Sequence, residues 1–223
     1  MFIEDAKEGA PIVVTVLRHL LTVTPTRGRE GSDLRTACGD VMAHAESLLQ
    51  NDIIGIPLDQ CFDLARTAGI SFEQMEDVRS TAVEVETPKT IGAMLVKNAL
   101  IDFCLATQSA ILGEANFRSR QDVTKYKDII NISFADMEEI AADDMDQVTY
   151  RALVELHAAT VYFLVERARP LPRMLNFRFS DIMPSLVISY KLYDIADRGD
   201  ELRTENKIVH PAFMQLTGKA LSS

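Results

Sequence analysis

From Ile91 to Leu112 the chain reads IGAMLVKNALIDFCLATQSAIL, a run of 22 residues that is apolar on most sides of a helix. Lys97, Asn98, Asp102 and Gln108 interrupt it, and such groups are costly at bilayer depth. The run therefore predicts a helix buried inside protein, with no membrane span. Thr87-Pro88 supplies its start signal, proline being tolerated at a first helical position where the missing N–H costs nothing. A helix apolar nearly all round needs partners that each contribute one apolar face. The rest of the chain must supply them.

Helical periodicity does supply them from Ser32 onward. Ser32 or Asp33 can cap a helix through about Gln50, with Leu34, Cys38, Val41, Ala45 and Leu48 on one stripe. Leu58, Cys61, Phe62 and Ala65 mark a short helix begun near Pro57 and stopped at Gly69. Ser71 with Gln74 three residues later has capping-box form and opens a helix carrying Phe72, Met75, Val78 and Ala82. After a turn at 117–120, Val123, Tyr126, Ile130, Phe134, Met137 and Ala141 form another stripe. The short connection Asp143 to Asp146 favours an antiparallel partner running to about Ala168, with Ala152, Leu153, Leu156, Thr160 and Phe163 on its face. Pro170 and Pro172 end that helix. Leu171 to Ser180 reads as extended, since Leu175, Phe177 and Phe179 alternate with Asn176 and Arg178, and the strand needs a partner in the N-terminal arm or another subunit. Residues 12–24 (IVVTVLRHLLTVT) fit strand or helix, and Pro25, Thr26, Arg27, Gly28 and Gly31 make a loop after them. The expected fold is mainly α, a multi-helix bundle with one short strand segment near 171–180. The expected divisions are an N-terminal arm at 1–31, a small helical region at 32–86 and a helical domain at 87–223, or one continuous domain.

Charge and motifs narrow the chemistry. A net charge of −10 argues against a broad phosphate-binding surface, so direct DNA binding is not expected. The basic clusters Arg27, Arg29, Arg35 and Arg167, Arg169, Arg173, Arg178 read as solvated faces or as partners of the surplus acids. Cys38, Cys61 and Cys104 lie far apart on apolar stripes and read as buried free thiols. The start, MFIEDAKEGAP, lacks the order of a signal peptide, and a soluble protein made in a reducing cytoplasm is expected. Asp136, Glu138, Glu139, Asp143, Asp144 and Asp146 are dense but lack the glycine and closing glutamate of a calcium loop. His44 with Glu46, and His157 with Glu155, stand two apart and cannot share a helical face. With no zinc-protease spacing, nucleophile elbow or glycine-rich phosphate loop, no catalytic residue, metal or cofactor is expected.

Asp181 to Phe213, DIMPSLVISYKLYDIADRGDELRTENKIVHPAF, is the most distinctive segment. Ser180 or Asp181 can cap a helix with Pro184 in its first turn. Apolar residues then fall all round it to Ala196, with Ile182, Leu186 and Tyr193 on one side and Ile188, Leu192 and Ile195 opposite. Such a helix is buried by its own domain or by a partner chain. Asp200 can cap a second helix to about Asn206, and Pro211 biases His210 to an extended conformation. The anchors expected to engage a partner are Pro184, Leu186, Tyr190, Leu192, Tyr193, Asn206, His210, Pro211 and Phe213.

Pro184-Ser185-Leu186-Val187, Tyr190, Leu192-Tyr193, Arg198, Glu201-Leu202, Asn206, Ile208, His210-Pro211 and Phe213 together resemble the C-terminal end of the Mu-type phage DNA circularisation protein family, also called protein N. The resemblance extends more weakly back through Phe117-Arg118-Ser119-Arg120-Gln121-Asp122 and the helix with Tyr150, Ala152, Leu153 and Leu156, under half the chain in all. Asp194 and Ala212 depart from the small residue and the glycine of the family pattern. Members also carry a separate N-terminal domain that is not read here, so the chain is expected to be a split product, a fragment or a distant relative. The resemblance implies a structural subunit of a contractile phage or prophage tail, near tube and baseplate, assembled in the bacterial host cytoplasm. Its partners would be other tail and baseplate proteins and copies of itself, three or six by analogy. A DNA-associated role in circularising or protecting injected DNA is the second expectation, and a small metal-dependent hydrolase the third.

Overall fold

The computed structural model describes residues 1–25 and 27–222. Among them nine helices and two strands follow in the order α1 (Ile3–Val23), α2 (Gly28–Gln50), α3 (Gly55–Thr67), α4 (Phe72–Glu84), α5 (Ile91–Glu114), α6 (Arg120–Asp143), α7 (Gln147–Ala168), β1 (Met174–Arg178), α8 (Ser185–Tyr193), α9 (Gly199–Glu205) and β2 (Thr217–Leu221). The chain is mainly α, with one two-stranded sheet. It divides into two compact units, Met1–Ala115 with Ile129–Tyr162, and Asn116–Asp128 with Phe163–Ser223.

In the first unit α5 packs against α1, α3 and α4. By length and composition α5 is also apolar enough to cross a membrane. Residues 1–31 are not an arm, because α1 packs on α2, α4 and α5. Its buried residues, Ala6, Gly9, Ile12, Val13, Val16, Leu17 and Leu20, recur at threes and fours, whereas a strand would bury alternate positions. Burying the five large ones is worth about 8–15 kcal/mol. That exceeds the cost, about 3 kcal/mol, of Pro11 inside the helix and the smaller preference of β-branched residues for strands. Two glycines let α1 approach. A Cβ on Gly9 would lie 3.3 Å from Leu49 and 3.4 Å from Val96, and one on Gly92 would lie 2.5 Å from Asp5. Asp5 meeting Gly92 and Gly9 meeting Val96 makes α1 and α5 parallel neighbours. Thr26, read as part of the following loop, lies outside the described residues.

The start of α5 differs from expectation. Proline is not its first residue; Thr90 is the N-cap, its hydroxyl accepting from the Ala93 N–H. The Glu8 carboxylate of α1 adds to the cap by accepting from the Lys89 and Thr90 N–H groups, each at 2.8 Å. Those N–H bonds, from Lys89 foremost, hold Glu8 below the usual carboxylate range. At the other end of α4, the Lys97 ammonium donates to the Val83 and Val85 carbonyls, which the helix leaves open. The Ser71–Gln74 capping box forms in both directions, and Phe72, Met75, Val78 and Ala82 are buried as expected. Leu58, Cys61, Phe62 and Ala65 of α3 are buried too. Helix α2 begins at Gly28, ahead of Ser32, and buries Leu49 where the stripe had pointed to Leu48. Past the short 144–146 link α7 folds back on α6: His157 bonds Glu138 at 2.9 Å and Asn131 at 3.0 Å, and stacks on Phe134. On α7, Leu153, Thr160 and Leu164 are buried while Ala152 is exposed.

In the second unit β1 pairs antiparallel with β2, from Met174↔Leu221 to Arg178↔Thr217. The strand's partner is thus the C-terminal segment, and neither the N-terminal residues nor another subunit is needed. Phe177, Ile188, Leu202, Met214 and Ala220 form the core, with Phe179, Met183, Tyr193 and Ile208 packed on it. Helix α8 is shorter than the periodicity suggested. Pro184 is its N-cap, Ser180 and Asp181 bond each other instead of capping it, and Asp194 closes it in the left-handed conformation.

Candidate interaction surface

A two-stranded sheet has two bare edges, each with N–H and C=O groups that need partners. Here a carboxamide serves each edge. On β2, Asn206 accepts from the Lys219 N–H at 2.7 Å and donates to the Lys219 carbonyl at 2.8 Å. On β1, Gln121 accepts from the Met174 N–H at 2.7 Å and donates to the Met174 carbonyl at 3.2 Å. Each side chain copies the two-point bonding of a neighbouring strand. Gly218 is required beside Asn206, because a Cβ there would lie 2.5 Å from the Phe177 ring and 2.6 Å from the Asn206 oxygen.

Around this sheet the distinctive C-terminal residues fall into two groups. Tyr193 and Asn206 have internal work. The Tyr193 hydroxyl donates to the Leu221 carbonyl at 2.7 Å, and its ring carries the Arg198 guanidinium at 4.0 Å. Burial pushes the Tyr193 hydroxyl above its ordinary pKa, against the pull of Arg198. Arg198 in turn holds Glu201 through both oxygens. The Pro211 carbonyl accepts from the Ser185 N–H at 2.7 Å, so the His210-Pro211 turn satisfies a first-turn donor of α8, and Met214 N–H donates to Met183. His210 stays with its own turn, its ring nitrogen accepting from Ala212 N–H and its ring lying 5.2 Å from that of Phe213.

The second group has no such partners. Helix α8 buries Ser185, Ile188 and Ser189, so its apolar circumference is only partly covered by its own unit. Leu186 is 57% exposed, Tyr190 61% and Phe213 66%. Ile182, Val187, Leu192 and Ile195 are also exposed. Large apolar side chains concentrated on one short helix and the turn that caps it mark a surface able to bury area against another protein.

The earlier segment Phe117–Asp122 is likewise structural. Ser119 and Asp122 bond reciprocally at the start of α6, and Arg120 donates to the Leu171 and Arg169 carbonyls past the end of α7. Sequence reasoning passed over these braces. The three-residue spacing of Ser119 and Asp122 was a readable signal, whereas nothing local marks Gln121 as a strand mimic.

The other polar groups have ordinary duties. His19 pairs with Asp77 at 2.9 Å, His44 bonds the Asp40 carbonyl one turn earlier, and His157 faces Glu138 on α6 rather than Glu155. All three cysteines are buried. The Cys61 thiol of α3, together with burial, raises the Cys38 thiol of α2, and burial foremost, with Glu76 and Asp102 adding against the pull of Arg79, raises Cys104. Among the described residues no group of three or more His, Cys, Asp or Glu could hold a metal ion. A cavity of about 570 Å³ in the first unit lies between apolar Val83, Ile101, Met137 and Ile140, with Lys97 and Asp136 at its wall. An adjoining one of about 180 Å³ is lined by Asp102, which burial, with Asp146 adding, pushes up to about 7. No protein-family model and no curated protein matches this chain.

Proposed function

We propose that this chain is a structural subunit of a contractile phage or prophage tail, at the junction of tube and baseplate, acting by protein–protein assembly without chemical turnover. The observation that carries the reading is the exposure of the large apolar side chains Leu186, Tyr190 and Phe213 on a firmly braced unit. Buried against a partner, each such side chain contributes about 1.5–3 kcal/mol, and a cluster of them is what a permanent assembly uses. The resemblance to the phage circularisation family supports the same reading from another side. Its main run, Pro184–Phe213, and the weaker run Phe117–Asp122 lie apart in sequence but within one compact unit. Of the residues between them, 129–162 belong to the other unit.

On this reading the partners are other tail and baseplate proteins and further copies of the chain, in a virion tail. Imaging of intact particles with the chain labelled tests it directly, and should find the label at the base of the tail. Leu186→Ser with Tyr190→Ser should leave the purified protein folded and give tailless or defective particles. Normal particles from that double variant, or a label absent from the tail, would overturn the reading. A DNA-associated role rests on the second unit, where 13 Lys and Arg face 9 Asp and Glu.

A further inference from the structure

The net charge of −10 is unevenly divided. The first unit carries 24 Asp and Glu against 10 Lys and Arg, a net of −14, and the second carries 9 against 13, a net of +4. Segregation on this scale sets up attraction between unlike units of different molecules. Each unit also has a local feature where charge and apolar surface coincide.

In the second unit a groove of about 520 Å³ runs beside β2, lined in part by Phe177, Gln215 and Thr217 and bordered by Arg178, Lys207 and Lys219. Its one acid, Glu205, is paired with Arg118 at 3.7 Å. The three cationic side chains have no hydrogen-bond or ion-pair partner among the described residues. In the first unit the link between α6 and α7 is a tight acidic tip. Met145 takes the left-handed conformation at φ 57°, and Met145 and Val148 are 86% and 82% exposed. Asp146 is used up in capping α7, through Val148 and Thr149. Asp143 and Asp144 stand exposed with no partner among the described residues. Two unpaired carboxylates beside two bare apolar side chains complement three unpaired cations around the groove, which has the volume of a site for a short peptide turn.

We propose that the α6–α7 tip of one copy docks in the β2 groove of a second copy, joining the chains head to tail. The contact is heterologous, using different surfaces on the two partners, so repetition closes a ring or extends a filament. This inference rests on the structural-subunit reading above for its use in the cell, but not for its test.

Sedimentation of the full-length chain decides it. In about 0.1 M salt the wild type should form species larger than a monomer, and raising salt to about 1 M, where screening shortens to roughly 3 Å, should weaken association tenfold or more. Asp143→Asn with Asp144→Asn, and separately Lys207→Gln with Lys219→Gln, alter exposed side chains only, and each pair should leave the protein monomeric. Mixed together, the two variants have one intact tip and one intact groove between them. They should give dimers and nothing larger. A monomeric wild type at low salt, association untouched by either variant, or a mixture that stays monomeric would each overturn the proposal. Salt-sensitive binding of duplex DNA that Lys207→Gln with Lys219→Gln abolishes, without any self-association, would overturn it in favour of a nucleic-acid groove. A wild type that is monomeric yet found in tails refutes the docking and spares the tail reading. Head-to-tail association in a protein absent from tails does the reverse.

Discussion

Replacing Asn206 by alanine tests the claim that a side chain substitutes for a missing strand. The wild-type amide holds both main-chain groups of Lys219, at 2.7 and 2.8 Å, on the edge of β2 that faces away from β1. It also donates to the Leu202 carbonyl at 2.7 Å, so its orientation is fixed from the α9 side. A net hydrogen bond is worth about 0.5–1.5 kcal/mol, and Lys219 lies near solvent, where water replaces part of what is lost. Losing two such bonds should therefore cost about 1–2 kcal/mol locally. Amide hydrogen exchange reads that cost residue by residue: the Lys219 N–H should exchange about 5- to 30-fold faster in Asn206→Ala. Amides of α1 in the other unit should keep their rates. Asn206→Asp is the sharper variant, because it keeps the acceptor for Lys219 N–H but turns a carboxylate oxygen toward two carbonyls. It should be at least as damaging as alanine. Unchanged exchange at Lys219, or an aspartate variant indistinguishable from wild type, would refute the strand-mimic argument.

Gly92→Ala should destabilise the first unit by about 1–3 kcal/mol in urea unfolding, since its Cβ would lie 2.5 Å from Asp5. Combining it with Asp5→Gly should recover part of that loss in a double-mutant cycle. His157→Ala removes bonds to Glu138 and Asn131 and the stack on Phe134, and should cost about 2–3 kcal/mol by thermal unfolding. Asp102 is held near 7 in the fold while an unfolded aspartate ionises near ~3.9. The unfolded chain releases this proton first, so Asp102 makes stability fall as pH rises from about 4 to about 7 and then level off. Asp102→Asn should remove that slope, measured as urea midpoints across the window, and an identical slope in the variant would count against burial as the cause.

Much of the first unit was legible because burial there follows helical periodicity. Leu58, Cys61, Phe62 and Ala65, and Phe72, Met75, Val78 and Ala82, are core residues where the pattern put them. The capping box at Ser71 was readable because both its members are local. What failed was non-local. Residues 12–24 carry as much strand propensity as helix periodicity, and contacts with α2, α4 and α5 resolve them. The start of α5 is set by Thr90 and by Glu8, a residue of another helix more than eighty positions earlier. Strand β2 escaped notice since Thr217-Gly218-Lys219-Ala220-Leu221 is short, contains glycine and takes its register from β1. The nine expected anchors were legible as a cluster, but not their division into braces and bare surface, which depends on where β2 lies.

That division bears on what a family-like motif means in this chain. Tyr193, Arg198, Asn206 and the His210-Pro211 turn each satisfy a named group of their own unit, and Gln121 and Arg120 do the same from the earlier motif. Residues of this kind report how the unit is built, whatever the unit does. The side chains of Leu186, Tyr190 and Phe213 satisfy no polar group of it and are mostly exposed, Phe213 meeting the ring of His210 in its own turn. Exposing them costs the folded chain little, since burial is what they lack, and their removal should leave exchange rates in β2 as they are. The two sets therefore make opposite demands on experiment. Substituting a brace should loosen β2 in the isolated protein before any partner is added. Substituting the bare face should be silent until a partner is present. Tyr190 and Tyr193 stand three residues apart on one helix and belong to different sets. Tyr193→Phe should speed exchange at the C-terminal strand, whereas Tyr190→Ser should change only assembly. If both acted alike, in either assay, the apolar face of α8 would have to be read as part of the fold and not as the surface on which the proposed assembly depends.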